Sequence, residues 1–281
     1  MQHVKPKKSV DTFKEDLEVM LDRIDLISFA FTGGETLMRP DIWEMVSYVC
    51  DRLSSETSIE FYTNGLLLDD YHISKILHFS KTYSNIKFVI SYHHSPEHNN
   101  KYNNIMIEGI KKLFLNLHSN KEAAEQIRNA LINTSHNGWI DDNNVRHDAF
   151  PLEKNIAIDF KPLNQWKFSE RQHDSLPVQY NNDYKEAHKA CKCPVPFYNT
   201  NGEIFKCPYM YTLKKLLELH NKLDEWPLLR DYKPYSLYEN HDYDRLEKLK
   251  GPEEICSYCP VEYLINKEDH QTKLIKLLDV S

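Results

Sequence analysis

Two adjacent glycines close an apolar run near the start of the chain, and no other feature limits the fold as much. Leu26-Ile27-Ser28-Phe29-Ala30-Phe31 reads as a buried strand. Thr32-Gly33-Gly34-Glu35 ends it, and a helix follows with Pro40 near its first turn. Only seven glycines occur in 281 residues, so a Gly-Gly pair at the C-terminal end of a strand marks a backbone requirement. Glycine there lets the main chain approach a ligand closely and offer it N–H groups. Glu35, next in line, is a carboxylate suited to an ammonium group. Taken alone, a strand–Gly-Gly–helix unit is more often a tight turn.

The pattern around that segment is an alternation of strands and helices. Asp11 is positioned to cap a helix reaching about Ile24, with Phe13, Leu17, Met20 and Leu21 on one face. Ile42, Val46, Val49, Cys50 and Leu53 recur at helical spacing after Pro40, which makes Cys50 a core residue. Ser58 to Tyr62 is a strand and Thr63-Asn64-Gly65 its turn. A helix from Asp69 or Asp70 carries Ile73, Ile76 and Leu77, and Ile86 to Ser91 is a β-branched strand. Tyr102 to about Asn133 is helical, 133–148 a polar loop, and Asn155 to Phe160 an alternating strand. This is an α/β plan with a parallel sheet, whose ligands gather at the carboxyl ends of the strands. The polar stretch after Leu163 divides the chain into a domain at 1–165, a linker at 166–185 and a second domain at 186–281.

The second domain carries the other chemical signal. Cys191, Cys193, Cys207, Cys256 and Cys259 all lie in the last third, and Cys50 stands apart. Asn201-Gly202 between two short apolar runs is a hairpin turn that brings the cysteines at its two ends together. Cys256-Ser257-Tyr258-Cys259 adds a C-x2-C pair. In a reducing compartment such clustering reads as metal ligation. Four thiolates suit zinc or an iron–sulfur cluster, and spacing alone does not choose between them. His93 and His94, with Glu97 and His98 nearby, also admit an ordinary metal-dependent hydrolase as a weaker reading.

These segments resemble the radical SAM enzymes. Phe31 to Asp41 is similar to that family's "GGEPLL-x-PD" segment, with Thr36 where proline is usual. Glu60 to Leu68 resembles its third strand and "TNG-x-LL" turn, and Ile86 to Ser91 its fourth strand. The late cysteines, with Gly202 to Cys207 matching Gly-x4-Cys, resemble the twitch form of the SPASM auxiliary-cluster domain. The resemblance implies an incomplete (β/α) barrel followed by a small Cys-rich domain. It places the amino group of S-adenosylmethionine on Gly33, Gly34 and Glu35, with Asn64 and Ser91 as further contacts. It implies an auxiliary [4Fe–4S] cluster on Cys191, Cys207, Cys256 and Cys259, with Cys193 as substitute and zinc as the alternative metal. It also implies an electron donor and a substrate that is a peptide, a sugar or a small metabolite.

One part of the family pattern is missing. The C-x3-C-x2-C loop that holds the SAM-cleaving cluster should precede Gly-Gly-Glu, yet the first cysteine here is Cys50. Truncation ahead of Met1 is the favoured explanation and a degenerate member the other. Either way, the 281 residues are expected not to cleave S-adenosylmethionine. The competing reading from another class is a non-catalytic, zinc-stabilised binding module. A net charge of −7 argues against a general nucleic-acid binder. No apolar run approaches the ~20 residues that span a bilayer, and the basic start lacks an apolar signal core, so a cytoplasmic protein is expected.

Overall fold

The computed structural model describes residues 9–32, 34–92, 100–133, 139–140, 146–147, 149–160, 180–191, 197–198, 202–239 and 243–259. The chain divides into two compact units, Met1–Gln165 and Trp166–Ser281. Of the expected linker, 166–179 lies outside the described residues.

The first unit opens with helix α1 (Val10–Leu21), which buries Phe13, Leu17 and Met20. Its cap is Ser9, not Asp11: the Ser9 hydroxyl accepts the Thr12 N–H at 3.2 Å. Strand β1 (Ser28–Phe31) follows. A single turn of 3-10 helix, Thr36–Met38, intervenes before α2 (Ile42–Arg52). Then come β2 (Ser58–Thr63), α3 (Asp70–Thr82) and β3 (Ile86–Tyr92). Asp69 caps α3 by accepting the His72 N–H at 2.8 Å. The expected single helix after Tyr102 is two, α4 (Asn100–His118) and α5 (Lys121–Asn133). The chain turns between them because Ser119 adopts a φ of 52° and the Asn120 side chain takes the Ala123 N–H at 3.1 Å. Two two-residue strands, β4 (Trp139–Ile140) and β5 (Arg146–His147), pair within the stretch expected to be loop. Strands β6 (Ala149–Glu153) and β7 (Ile156–Phe160) complete the unit.

The fold is mixed α/β with a mostly parallel five-stranded sheet, ordered β1-β2-β3-β7-β6. Every pair is parallel except β6 with β7. Among the described residues the sheet does not close on itself, and β1 and β6 are its edges. Edge position explains why the apolar run at 26–31 is less buried than expected: Phe31 is covered, while Ile27 is 85% exposed.

Alternation sorts the strands into two faces. Ile59, Phe61 and Thr63 of β2 share a buried face with Ile86, Phe88 and Ile90 of β3. Trp43 of α2 stacks on Phe61 at 5.3 Å and on Phe79 at 5.7 Å, joining α2, α3 and the sheet. Cys50 is buried in the same layer, and burial pushes its thiol up to about 12. The opposite face carries Glu60, Tyr62, Ser91 and Asp159, all half-buried.

The second unit has short elements around its own core. Helix α6 (Tyr184–Ala190) is capped by Asp183, whose side chain accepts from the Lys185 and Glu186 N–H groups at 3.0 Å. Strands β8 (Phe197–Tyr198) and β9 (Glu203–Phe205) pair antiparallel, as the Asn201-Gly202 turn predicts. Helix α7 (Pro208–Leu219), helix α8 (Pro227–Arg230), strand β10 (Tyr235–Ser236) and helix α9 (Tyr243–Lys248) follow. β10 adds to β9, and a 3-10 turn at Glu254–Tyr258 carries the last two cysteines. Phe205, Met210, Leu213, Leu217, Trp226, Leu229, Ile255 and Tyr258 form the core, against which Cys207, Cys256 and Cys259 pack. Among the described residues no helix is long and apolar enough to cross a membrane.

Candidate functional site

Parallel register brings the first unit's candidate residues to one end of the sheet. Gly34 follows β1, Asn64 and Gly65 follow β2, and Ser91 lies near the end of β3, level with Asp159 of β7. Gly33 lies outside the described residues. Gly34 has a φ of +53°, and a Cβ built on it would meet nothing within 4 Å among the described residues. The backbone here is therefore both left-handed and open on one side.

Glu35 fastens this end together. Its Oε1 accepts the Thr63 hydroxyl at 2.7 Å and the Leu37 N–H at 3.0 Å. Its Oε2 accepts the Asn64 N–H at 2.7 Å. One carboxylate thus ties the turn after β1 to the turn after β2. A carboxylate offers about four acceptor positions, and three are taken, which leaves little for the ammonium expected from the sequence. The Thr63 hydroxyl in turn receives the Gly65 N–H at 3.1 Å, and the Asn64 side-chain oxygen receives the Leu66 N–H at 2.9 Å. Thr63 is a site residue that sequence reasoning passed over. It is 3% exposed, and its place beside Asn64-Gly65 was the available signal.

In the second unit the cysteines sit at the ends of helical segments. Cys191 follows α6 and Cys207 caps the N-terminus of α7, where the helix dipole favours a thiolate. Cys256 lies in the last 3-10 turn and Cys259 ends it. Backbone bonds hold the pair: Cys256 N–H to the Glu253 carbonyl at 2.8 Å, and Cys259 N–H to the Cys256 carbonyl at 2.9 Å. The Asn182 side-chain amide donates to the Cys259 carbonyl at 2.7 Å, tying this turn to the chain just ahead of α6.

Burial raises the Cys259 thiol above its ordinary range, and Cys207, Cys191 and Cys256 each raise it further. Burial also raises Cys256, opposed first by a backbone hydrogen bond from Glu253 and then by the charge of Lys206, and reinforced by Cys191. None of the cysteines described is in a disulfide. Cys193 lies outside the described residues, as do His93, His94, Glu97 and His98. Among the described residues no three donors stand close enough to grip a metal ion as they lie. By chemistry the four described thiols are soft donors of the kind that zinc and iron–sulfur clusters take. A cleft of about 720 Å³ in the same unit is lined by Tyr184, Tyr232, Arg245, Lys248 and Glu253, among others.

Set against known protein families, curated proteins and solved structures, the chain matches none.

Proposed function

We propose that this chain is a radical SAM-type protein with a SPASM/twitch-type auxiliary metal domain. In this reading the five-stranded sheet is part of an open (β/α) barrel, and S-adenosylmethionine binds at the carboxyl ends of β1, β2 and β3. Cys191, Cys207, Cys256 and Cys259 hold an auxiliary [4Fe–4S] cluster, with Cys193 as a spare ligand. The observation that carries the reading is that α6, which ends at Cys191, packs against the 3-10 turn that carries Cys256 and Cys259, while Cys207 packs against the same core as that pair. Burial raises the Cys256 and Cys259 thiols, and a metal would offset that by taking the thiolates.

The first unit's geometry supports a small-molecule site of the same kind. The Glu35 clasp holds two adjacent turns in register, and Gly34 presents open backbone beside it. Ser91 and Asn64 stand at neighbouring strand ends. When bound, S-adenosylmethionine supplies a source of radical chemistry and the auxiliary cluster a path for electrons or a structural brace. The 281 residues carry no C-x3-C-x2-C sequence, so the chain as given binds this ligand without cleaving it.

Metal analysis of the full chain, purified without oxygen, tests the reading. Iron and sulfide in equal amounts are expected, and both should be lost in the Cys256→Ser/Cys259→Ser double variant. Zinc without sulfide would instead support the zinc-stabilised binding module. Neither metal in the wild-type chain would refute both. Formation of 5′-deoxyadenosine by these 281 residues would overturn the expectation that they do not cleave the ligand.

A further inference from the structure

We infer that the cleft in the second unit binds a small anionic molecule with a flat apolar body. Its volume of about 720 Å³ lies within the roughly 300–1,000 Å³ of small-molecule sites. Pro227 and Leu228 of α8 and the run from Gly251 to Ile255 line it, with Tyr184 at the start of α6. Rings and aliphatic carbons therefore form much of its surface, which a flat apolar body covers well. Bonds within the unit hold its wall. The Arg245 guanidinium lies over the Tyr232 ring at 5.1 Å, pairs with Glu253 and donates to the Lys233 carbonyl at 2.9 Å. The Tyr232 hydroxyl donates to Glu253 at 3.3 Å and accepts the Lys206 N–H at 3.1 Å. These bonds tie α9 to the chain around Tyr232 and to the turn at Glu253, so the site is formed before a ligand arrives.

The unpaired charges on this lining are mostly positive. Arg245 is matched by Glu253, and Asp231 by Arg230 at 2.8 Å. Lys233, Lys248 and Glu254 are exposed, and among the described residues none of the three is in an ion pair. That leaves two ammoniums against one carboxylate, on a chain of net charge −7. A local reversal of sign draws an anion to this cleft. Lysine meets an anionic group as a point charge, so a carboxylate and a phosphate are equivalent here. A cationic ligand would face the same two lysines and gain only Glu254.

Ligand-observed NMR titration of the full chain tests this with four naphthalene probes: naphthoate, naphthyl phosphate, neutral naphthalenemethanol and cationic naphthylmethylamine. At least one anion should bind with a Kd below about 1 mM, about 3- to 20-fold tighter than the alcohol and tighter still than the amine. The tighter anion identifies the group that the site takes. The Lys233→Gln/Lys248→Gln variant should bind that anion no better than the alcohol and leave alcohol binding unchanged. Both lysines are exposed, so it should melt close to the wild-type temperature. A Cβ on Gly251 would meet only the Lys248 carbonyl oxygen, at 3.8 Å, so Gly251→Phe adds a ring to the lining and should abolish binding of every probe. No anion binding by the wild-type chain would overturn the inference. So would an alcohol or amine that binds as well as both anions, or anion binding undiminished in the double lysine variant. A folded Gly251→Phe chain that binds the anion at wild-type strength would place the binding elsewhere and overturn it too.

Discussion

Replacing Glu35 by glutamine tests whether this carboxylate is a clasp between two turns. Oε1 accepts from Thr63 at 2.7 Å and from Leu37 at 3.0 Å, and Oε2 accepts from the Asn64 N–H at 2.7 Å. A glutamine keeps one oxygen and turns the other into a donor. If the oxygen stays with Thr63 and Leu37, the new NH₂ group faces the Asn64 N–H, and two donors oppose each other. That removes one bond to a charged acceptor, a kind worth about 1.5–3 kcal/mol. The other two become neutral bonds, about half as strong. At this half-buried position the sum is about 3 kcal/mol, which lowers the melting temperature of the first unit by about 6–12 °C. Thermal unfolding of the full chain reads the shift, and amide hydrogen exchange at Asn64 and Leu37 reads its location. Unfolding within about 1 °C of wild type, with unchanged exchange at both amides, would refute the clasp and leave the carboxylate to a ligand.

Two further outcomes follow from the same structure. Gly65 has a φ of +76°, and a Cβ there would lie 3.0 Å from Ile90 Cγ2 and 3.3 Å from Met106 Cγ; Gly65→Ala should cost about 2–4 kcal/mol in urea unfolding, as strain and overpacking together, and a loss under about 1 kcal/mol would contradict this. Glu18 is held down from 4.5 to about 2 by hydrogen bonds from Arg52 and then Tyr48. A depressed carboxylate stabilises the fold above its unfolded pKa and loses that contribution as pH falls through the folded value. Wild type should therefore exceed Glu18→Gln by under about 1 kcal/mol at pH 7, the pair being largely solvent-screened, and the gap should close between about pH 5 and pH 2. A gap that persisted at pH 2 would sink this account.

What the sequence made legible depended on how local each cause was. Strands β2, β3 and β7 carry their own alternation or β-branching, and Asn201-Gly202 carries its own turn chemistry, so these were readable. The break between α4 and α5 was not, because Ser119 and Asn120 do not interrupt the apolar spacing on either side. Between Cys207 and Cys256 lie α8, four residues long, and β10, two residues long; elements that short hold no period to detect. Glu35 was read for its charge, but its partners Thr63 and Asn64 lie 28 and 29 residues away, and no local pattern reports that contact. Nothing local in the sequence marks Lys206 as buried; only the fold, which brings the Leu249 carbonyl to its ammonium, shows it.

The use of left-handed backbone sharpens the contrast between Gly34 and the rest of the chain. Among the described residues five positions have positive φ: Gly34, Gly65, Ser119, Gly202 and Asn221. Ser119 and Asn221 end α4 and α7, so at helix ends this chain accepts the conformation without glycine. Gly65 and Gly202 have a second reason to lack a Cβ, since Ile90 crowds one and the Tyr238 ring the other. Gly34 has neither excuse: it ends no helix, and a Cβ there would find open space among the described residues. The conformation alone would admit asparagine at modest cost. What Gly34 supplies is left-handed backbone with an open side among the described residues, next to a carboxylate that clasps two turns. The carboxylate next door has three of its about four acceptor positions taken by that clasp, so in the function proposed above the main-chain groups around Gly34 would share the ligand with the position Glu35 keeps.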